Sequence, residues 1–355
     1  MTSFSAFDHA MMARALVLAE KGLYTTTPNP RVGCVMTQGE EIIAEGWHEK
    51  AGAPHAEAVA LEKAGSRAAG ATAYVSLEPC NHFGRTPPCA WALINAKVAR
   101  VVAALRDPNP QASGGGAALA AAGIRFEHGL MQDAARELNV GFVSRMTRGR
   151  PWVRLKAAAT LDGRTALANG KSQWITGPDA RRDGHRWRAR ACAILTGIGT
   201  VKADDPWLTV REIQTPRQPL RVIVDSRLET PRSARILEGE TVLVFSAKPG
   251  VLKNAEVIAL PNAGGKVDLP RMLEELARRG VNELHVEAGF KLNGSLVREG
   301  CVDEVLLYLN PSFLGDSAQG ILDLPAPDSL EGRTKLRILS LERLGEDFRI
   351  LARPA

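Results

Sequence analysis

The alternation of apolar and polar positions in the first half of the chain predicts helices and strands in turn. It indicates a helix near 5–22, strands at CVMTQG and EIIAEGWH, and a helix from about 55 to 65. Then come strand ATAYVSLEP, a helix around 88–96, strand RVVAAL, a Gly/Ala helix, strand IRFEHG and a helix at 132–147. Strands spaced by helices of this length are typical of a three-layer α/β domain.

The pattern restarts after Gly149-Arg150-Pro151, which we take as a domain boundary because Gly and Pro interrupt regular elements there. We therefore divide the chain into domains 1–149 and 150–355. The second half has helices predicted near 178–191, 268–279 and 291–300. It restarts with WVRLKAAATLDGRTA, and strand-like runs follow at CAILTG, LRVIVDS, TVLVFSA, AEVIALP, ELHVEAG and DEVLLYLNP. This pattern predicts a second α/β domain.

Length and composition agree with two globular domains. The chain has 355 residues, of which 45% are hydrophobic and 24% charged. No apolar run approaches the roughly 20 residues that a membrane span needs. The N-terminus carries Asp8 and Glu20 around a short amphipathic stretch, which is not the pattern of a signal peptide. We expect a cytoplasmic protein without a membrane partner.

The net charge of +6 admits two classes of anionic partner. The basic residues of the chain are scattered, and aromatic residues make up only 5% of it. Few aromatic side chains are therefore available for nucleic-acid bases to stack on. Small phosphorylated ligands fit the charge equally well. Five cysteines, an odd and sparse set, argue against a disulfide framework.

Four residues suggest a catalytic metal site: His55 and Glu57 in PHAE, and Cys80 and Cys89, each after a proline. Two thiolates and an imidazole suit zinc, and three protein ligands leave a fourth position open for water, whose pKa zinc lowers to about 7. Residues two apart in a helix diverge by about 200°, so His55 must lie at the helix entrance, outside the regular turn. Glu57 is then the predicted proton shuttle.

Other readings of these residues are open at this point. The two cysteines could be buried thiols, and their separation departs from the P-C-x-x-C of zinc deaminases. His48 and His82 compete as ligands. A nucleic-acid base deaminase with an accessory domain would want clustered basic and aromatic residues. A structural zinc module in a binding protein would want a fourth protein ligand and no Glu57.

Three glycine-rich stretches are candidate phosphate sites. GGGAALAAAG is read as a loop and helix, and TGIGTVKADDP lacks the third glycine of a Rossmann fingerprint. ELHVEAGFKLNGSLV is better placed, because a strand leads through a glycine into a helix start. Backbone N–H groups at such a start can bind a diphosphate.

The motifs TTTPNPRVGCV, GWHEKAGAPHAEAVAL, AYVSLEPCNHFGRTPPC and RDPNPQASGGG resemble the deaminase domain of the bifunctional riboflavin-biosynthesis deaminase-reductase family. In that family the longer gap between the cysteines is the normal form. LKAAATLDGRTA, SQWITG, DDPWLTVR, RVIVDS and VEAG are similar to its reductase domain. The resemblance covers nearly the whole chain. It implies a cytidine-deaminase-like three-layer α/β/α domain followed by a dihydrofolate-reductase-like α/β domain.

The resemblance also implies functional residues and cofactors. One Zn²⁺ per chain would bind His55, Cys80 and Cys89, with Glu57 as general acid/base. NADPH would contact Ala158, Thr165, Trp174, Thr200, Asp204, Ser226, Gly289, Phe290, Lys291, Leu292, Asn293, Gly294 and Ser295. The deaminase substrate would contact Asn29, His48, Arg85 and Asp107, and the reductase substrate Ser172, Arg188, Leu208, Arg211 and Glu287.

Residue chemistry adds detail to these implied sites. Arg188 and Arg211 suit a substrate phosphate, as do Arg85 or His48 in the first domain. Ser226, with Arg227 beside it, is placed to favour the 2′-phosphate of NADPH. Lys156 and Glu287 are candidates for handling charge near the sugar as hydride reaches C1′. The family commonly has Pro and small residues where this chain has Phe290-Lys291, so this part of the cofactor loop departs from the pattern.

The activity implied is bifunctional. A zinc-dependent hydrolytic deamination of 2,5-diamino-6-ribosylamino-4(3H)-pyrimidinone 5′-phosphate would precede NADPH-dependent reduction of the ribosyl side chain to ribityl. The partner is then a small phosphorylated pyrimidine, not a nucleic acid. We expect the chain to form a homodimer or higher homo-oligomer.

Overall fold

We describe a computed structural model of the chain, covering residues 4–83 and 87–355. The chain forms two compact units, Met1–Gly149 and Arg150–Ala355. Within the described ranges, no helix has the length and apolar character that a bilayer crossing requires.

The first unit is a five-stranded sheet with helices. Its strand order is β2-β1-β3-β4-β5, with β1 antiparallel to both neighbours and β3, β4 and β5 parallel. The elements are α1 (Ala6–Glu20), β1 (Gly33–Gln38), β2 (Glu41–Trp47), α2 (Ala56–Ala64), β3 (Thr72–Leu77), α3 (Cys89–Asn95), β4 (Arg100–Leu105), α4 (Gly115–Ala121), β5 (Arg125–His128), α5 (Gln132–Leu138) and α6 (Val140–Arg148). A short 3-10 helix, Gly65–Ala68, follows α2.

Two glycines bring helices directly onto the sheet. A Cβ on Gly33 in β1 would lie 2.0 Å from the carbonyl oxygen of Ala15 in α1, and one on Gly46 in β2 would lie 2.2 Å from that of Ala56 in α2. Any larger residue would force backbone apart, since packed interiors leave no such space. The second contact fixes the start of α2, and therefore His55, against the sheet.

The helix predicted at 132–147 is two helices, α5 and α6, separated at Asn139. The Asn139 side chain accepts from the backbone N–H of Arg31 at 2.8 Å and donates to its carbonyl at 2.9 Å. This buried pair of hydrogen bonds compensates for the break, and the continuous apolar pattern could not reveal it.

The second unit is built on a nine-stranded sheet of order β11-β10-β9-β8-β12-β6-β13-β16-β15, with a separate β14-β7 pair. Its elements are β6 (Trp152–Thr160), β7 (Arg164–Ala166), α7 (Pro178–Arg190), β8 (Ala193–Gly197), α8 (Ile198–Asp204), β9 (Leu220–Val224), β10 (Val242–Ser246), β11 (Ala255–Ala259), α9 (Leu269–Arg278), β12 (Glu283–Val286), α10 (Phe290–Arg298), β13 (Glu304–Asn310), β14 (Gln319–Gly320), β15 (Leu336–Leu344) and β16 (Asp347–Pro354). Short 3-10 helices lie at Arg235–Leu237 and Leu330–Gly332.

In the order of the sheet, the strands from β11 through β10, β9, β8, β12 and β6 to β13 are parallel. Strands β16 and β15 then continue the sheet in antiparallel pairing. One face of the central strands is apolar, with Val286 of β12 beside Leu155 of β6 in the core. Alternate positions point to the opposite face, where Arg154 and His285 are also buried. The sequence pattern missed helix α8, the short pair β7 and β14, and the hairpin β15–β16.

Candidate metal centre and reductase site

Three candidate metal ligands of the first unit converge. The Nδ1 atom of His55 lies 3.5 Å from Sγ of Cys80 and 3.3 Å from Sγ of Cys89. The three ligand atoms all lie within 4.8 Å of one another. Zinc bound tetrahedrally at ordinary bond lengths needs nitrogen–sulfur separations of about 3.6 Å. The donor atoms and their spacing therefore fit a zinc ion.

Each ligand is positioned by the end of an element. His55 is the N-cap of α2 in an extended conformation, φ −72° and ψ 161°, as the sequence argument required. Cys89 opens α3, and its backbone N–H donates to Sγ of Cys80 at 3.4 Å. Cys80 follows β3 and Pro79. The ligands thus lie on three rigid junctions.

Glu57 lies in the first turn of α2, with only 3% of the residue exposed. Burial raises the pKa of its carboxyl to about 7, against the opposing effect of His55. A carboxyl group with such a pKa can both take up and release a proton near neutrality. This is the property that a proton shuttle needs.

The two thiols differ in how readily they lose a proton. The hydrogen bond from Cys89 and then that from His55 lower the pKa of Cys80 below its ordinary range, although burial opposes them. The same hydrogen bond, with burial, raises the pKa of Cys89. One thiolate is therefore available at neutral pH for a cation.

The competing ligands do not join this cluster. The group of metal-binding side chains found among the described residues holds His55, Cys80 and Cys89 and no fourth member. His82 is exposed. His48 is buried and has both ring nitrogens engaged. Three ligands with a buried carboxyl beside them describe an open, catalytic site rather than a structural one.

His48 supports Asn29. Its Nδ1 lies 3.0 Å from the carbonyl oxygen of Pro54, which can only accept, so Nδ1 carries the proton. Its Nε2 therefore accepts from the side-chain amide of Asn29 at 3.1 Å. Burial lowers the pKa of His48, so this neutral form persists. In this arrangement His48 orients the Asn29 amide, and its contact with a substrate phosphate stays a prediction.

Sequence reasoning missed Glu78, which anchors the loop that carries Asp107. The Glu78 carboxylate accepts from the backbone N–H of Asp107 at 3.2 Å and of Gly116 at 2.8 Å. A Cβ on Gly115 would lie 1.8 Å from the carbonyl oxygen of Pro79, so the loop lies directly against the Pro-Cys turn. Burial raises the pKa of Asp107 to about 6, and Glu78 adds to it. The sequence signal that could have identified Glu78 was a charged residue directly after the buried strand β3.

The predicted site residue Arg85 lies outside the described residues, so the structure does not place it. The glycine-rich stretch GGGAALAAAG contains the whole of α4 and its N-cap, and Gly116 packs against the ring of Phe126. Its glycines permit close packing, and the predicted loop and helix are present.

In the second unit, the half-buried carboxylate of Glu287, itself a predicted substrate residue, contacts the predicted substrate residue Arg188 and also Lys156. Glu287 accepts from Nε and Nη2 of Arg188 at 2.5 and 2.9 Å, and Nζ of Lys156 lies 3.8 Å away. Burial would raise the pKa of Glu287, but Arg188 and Lys156 hold it well below its usual range. Burial lowers the pKa of Lys156. The cluster joins a fixed anion to an amine that gives up its proton more readily than usual.

Predicted cofactor and substrate residues also meet elsewhere. The hydroxyl of Ser172 donates to the carboxylate of Asp204 at 3.2 Å. Gly289 caps α10, and a Cβ on it would lie 3.6 Å from Oγ1 of Thr200. The first intrahelical bond is from Asn293 to the carbonyl of Gly289. The N–H groups before it, at a helix start beside the exposed Lys291, fit the diphosphate of a dinucleotide.

Several other predicted cofactor residues have contacts within the protein. Asn293 is buried and donates to the carbonyl oxygens of Ala288 and Ile321, and a Cβ on Gly294 would lie 2.2 Å from the carbonyl oxygen of Asp323. Both positions therefore pack against the protein, and their contacts with the cofactor stay predictions. Leu292 packs near Gly197, and Ser295 donates to the carbonyl of Lys291.

The remaining predicted cofactor residues differ in exposure. Trp174 is 69% exposed, with the guanidinium of Arg181 4.8 Å from its ring centre. Thr165 donates to the carbonyl of Gly320 at 3.1 Å. Ser226 accepts from the N–H of Val267 at 3.1 Å, which leaves its proton to donate. Arg227, expected beside the 2′-phosphate, forms an exposed ion pair with Glu229 at 2.7 Å. Ala158 lies half-buried in β6.

Comparison with protein families divides the chain in the same places. Residues 5–105 match the cytidine and deoxycytidylate deaminase zinc-binding region, and residues 151–350 match the RibD C-terminal domain. The riboflavin biosynthesis protein RibD of Haemophilus influenzae is 46% identical over 372 residues, covering 100% of this chain and 99% of its own. The RibD protein of Escherichia coli is 46% identical over 357 residues, with 96% and 97% covered. The chain belongs to the RibD family.

Solved RibD structures share the whole fold. Acinetobacter baumannii RibD superposes with a TM-score of 0.93 at 42% identity, covering 98% of this chain and 99% of that one. A diaminohydroxyphosphoribosylaminopyrimidine deaminase/5-amino-6-(5-phosphoribosylamino)uracil reductase from Thermotoga maritima superposes with a TM-score of 0.90 at 32% identity, with 98% and 99% covered. The predicted fold classes are confirmed.

Membership of the RibD family decides between the readings left open by the sequence. The chain is a bifunctional enzyme of riboflavin biosynthesis with a zinc-dependent deaminase domain and an NADPH-dependent reductase domain. The two alternatives were a nucleic-acid base deaminase with an accessory reductase-like domain and a structural zinc module. Both are disfavoured because the RibD relatives match the chain over both domains together.

Proposed function

We propose that residues 1–149 catalyse the hydrolytic deamination of 2,5-diamino-6-ribosylamino-4(3H)-pyrimidinone 5′-phosphate. Residues 150–355 then reduce the ribosyl group of the deaminated product. The first step replaces a C–NH₂ bond by C=O and releases ammonia. The second transfers hydride from NADPH to C1′ and opens the sugar to ribityl. The observation that carries the proposal is the buried Glu57 beside a three-ligand zinc site, in a chain that also contains a reductase unit.

In the deaminase half, the zinc ion when bound supplies a water of lowered pKa and a positive charge beside the reacting carbon. Glu57 takes a proton from the attacking water and returns it to the departing amino group. Its buried carboxyl has a pKa of about 7, which suits both transfers. Asn29, oriented by His48, and Asp107, anchored by Glu78, hold the ring and ribose. Arg85 is proposed as the contact to the 5′-phosphate.

In the reductase half, Arg188 and Arg211 bind the phosphate, while Ser172, Leu208 and Glu287 line the rest of the substrate pocket. The N–H groups at the start of α10 bind the cofactor diphosphate. Lys156 sits 3.8 Å from Glu287, and its lowered pKa lets it give a proton to the sugar oxygen as hydride reaches C1′. The other proposed cofactor contacts are Ala158, Thr165, Trp174, Thr200, Asp204 and Ser226, with backbone of residues 289–295.

The test is an assay of the purified chain in two stages. Given the diamino substrate alone, it should release ammonia in proportion to bound zinc. Given the deaminated intermediate and NADPH, it should oxidise NADPH and form the ribityl product. A chain that releases ammonia but leaves NADPH untouched with the deaminated intermediate contradicts the proposed second step.

We also propose that two copies associate through strand β15, at the edge of the nine-stranded sheet. Ile338 and Leu341 on this strand are 61% and 60% exposed, and Phe348 on β16 is 36% exposed. An apolar sheet edge is a ready surface for another chain. Light scattering should give a dimer mass that falls to a monomer mass in Ile338→Lys/Leu341→Lys. A monomeric wild type at micromolar concentration contradicts this assembly.

The proposed location is the cytoplasm. All five cysteines are buried thiols, which is the state expected in a reducing compartment. Cell fractionation checks this, and enrichment of the enzyme in an extracellular or membrane fraction contradicts it.

A further inference from the structure

A loop at 208–211 is held in place by two side chains that neither the sequence patterns nor the family motifs single out. Gln218 accepts from the backbone N–H of Val210 at 2.8 Å and donates to its carbonyl at 3.1 Å. His185, on the buried face of α7, accepts through Nδ1 from the backbone N–H of Arg211 at 3.1 Å. These contacts fix a segment in which Leu208 has a positive φ of 50°.

The same loop brings two guanidinium groups together. Arg188 donates to the carbonyl oxygen of Thr209 at 3.0 Å, and Arg211 donates to that same oxygen at 3.4 Å. Arg211 also donates to the Thr209 hydroxyl at 3.1 Å. Two like charges that share one neutral oxygen repel each other, and burial and then Arg188 lower the pKa of Arg211 accordingly. An added anion between them would relieve that repulsion.

His185 is suited to hold this arrangement because it stays neutral. A backbone N–H can only donate, so Nδ1 of His185 must present its lone pair and Nε2 must carry the proton. Nε2 lies 3.9 Å from a carboxylate oxygen of Glu212. Burial, and then Arg188 and Arg211, lower the pKa of His185 to about 4. The acceptor at Nδ1 is therefore present throughout the neutral range.

We propose that His185 is a positioning residue of the reductase: by accepting from the Arg211 backbone it holds the Arg211 guanidinium beside that of Arg188, so that both bind the phosphate of the substrate. The inference rests on the proposed function, since it takes the phosphate to be that of the ribosylamino intermediate. His185 itself touches neither substrate nor cofactor in this role.

Three substitutions separate the hydrogen bond from the volume of the ring. Asn places a polar atom near the position of Nδ1, Gln places one near Nε2, and Leu has none. We expect KM for the deaminated intermediate to rise about tenfold in His185→Leu and His185→Gln, because the loss of one buried hydrogen bond has that effect. In His185→Asn it should stay within about threefold of wild type. KM for NADPH should be unchanged in all three.

A substrate that lacks the phosphate identifies the group on which His185 acts. On the dephosphorylated intermediate, His185→Leu and wild type should have equal kcat/KM, because the phosphate contact is absent from both. An equal tenfold loss on both substrates would mean that His185 serves general folding, and the inference would be overturned. Equal KM values for Asn, Gln and Leu variants would overturn it as well.

Binding of inorganic phosphate tests the inference without turnover. Calorimetry should show phosphate binding to the full chain weakened about tenfold in His185→Leu and retained in His185→Asn. If the wild type fails to oxidise NADPH with the deaminated intermediate, the proposed substrate is wrong. The phosphate measurement still decides whether His185 organises an anion site, and unchanged affinity in the Leu variant refutes that.

Discussion

Ammonia release by the Glu57→Gln variant is expected to fall about 1,000-fold, within the range that a positioned general acid and base contributes. Glutamine has the same shape as glutamate, but its amide cannot take a proton from water and pass it to an amino group. The metal ligands are His55, Cys80 and Cys89, so zinc should remain bound at one ion per chain. Ammonia release and metal content, measured on the same sample, check the expectation.

The fold of this variant should be intact. Glu57 is buried and its pKa of about 7 shows that the uncharged carboxyl is nearly as stable there as the carboxylate. A neutral amide of the same size therefore adds no buried charge and no cavity. NADPH oxidation with the deaminated intermediate should match wild type, because that activity is assigned to residues 150–355.

Glu62→Gln is the matched control for this substitution. Glu62 lies on the same helix α2 but is exposed, so the same chemical change there should leave ammonia release within twofold of wild type. Normal ammonia release by Glu57→Gln would mean that another group moves the proton. Loss of zinc from the variant would instead make Glu57 part of the metal-binding structure.

The sequence predicted the metal centre well because local signals define it. His55 had to lie at a helix entrance to reach a metal with Glu57 nearby, and it is the N-cap of α2. The two Pro-Cys steps mark the end of a strand and the start of a helix, where side-chain directions are set locally. The sequence could therefore identify the three ligands and the helix and strand ends that carry them, before the distances between the ligand atoms were known.

The groups that support the site were not predictable in this way. Glu78, His48 and His185 act through backbone groups that lie 6 to 38 positions away along the chain. Such contacts depend on how strands and loops are placed in three dimensions, and periodicity carries no record of them. The break at Asn139 escaped for the same reason, because its partner is Arg31, 108 positions away.

The start of α10 in the reductase unit shows a different limit of prediction from sequence. The sequence predicts one cofactor-binding loop over residues 289–295, and in the structure Asn293 and Gly294 pack against the protein within it. A helix start offers its backbone N–H groups to a ligand on one side only, and helical periodicity turns the next positions inward. The glycine and helix signals located the site, while the direction of each side chain required the structure.

Replacing Arg154 with methionine should destabilise the second unit by about 3–5 kcal/mol, since it leaves two buried carboxylates short of a partner. Arg154 is 1% exposed and pairs with Glu304 at 2.5 Å and Glu283 at 3.1 Å. Its guanidinium lies 4.3 Å from the centre of the Trp187 ring. Urea unfolding of the full chain, followed by tryptophan fluorescence, measures the loss.

The pH dependence of the stability loss should distinguish a lost ion pair from a simple packing defect. In the wild type, burial would raise the pKa of Glu304, but Arg154 and then Arg353 more than offset this and lower it below its ordinary 4.5. Its stabilising contribution is therefore complete above pH 4.5 and is lost as the pH falls through the folded-state pKa. In Arg154→Met, each carboxylate loses one guanidinium partner and is protonated more readily, so the stability difference from wild type should narrow as the pH falls from 7 towards 4.5.

Arg279→Met provides the comparison at the surface. Arg279 pairs with Glu256 at 2.6 Å, but the two side chains are 32% and 48% exposed, and such pairs contribute at most about 1 kcal/mol. Arg190 also pairs with Glu283 at 2.7 Å, and Arg353 with Glu304 at 2.8 Å. An Arg154→Met loss no larger than that of Arg279→Met would show that the buried carboxylates rely on these two arginines instead. A stability difference that stays constant with pH would assign the effect to lost packing on Trp187, because packing does not titrate.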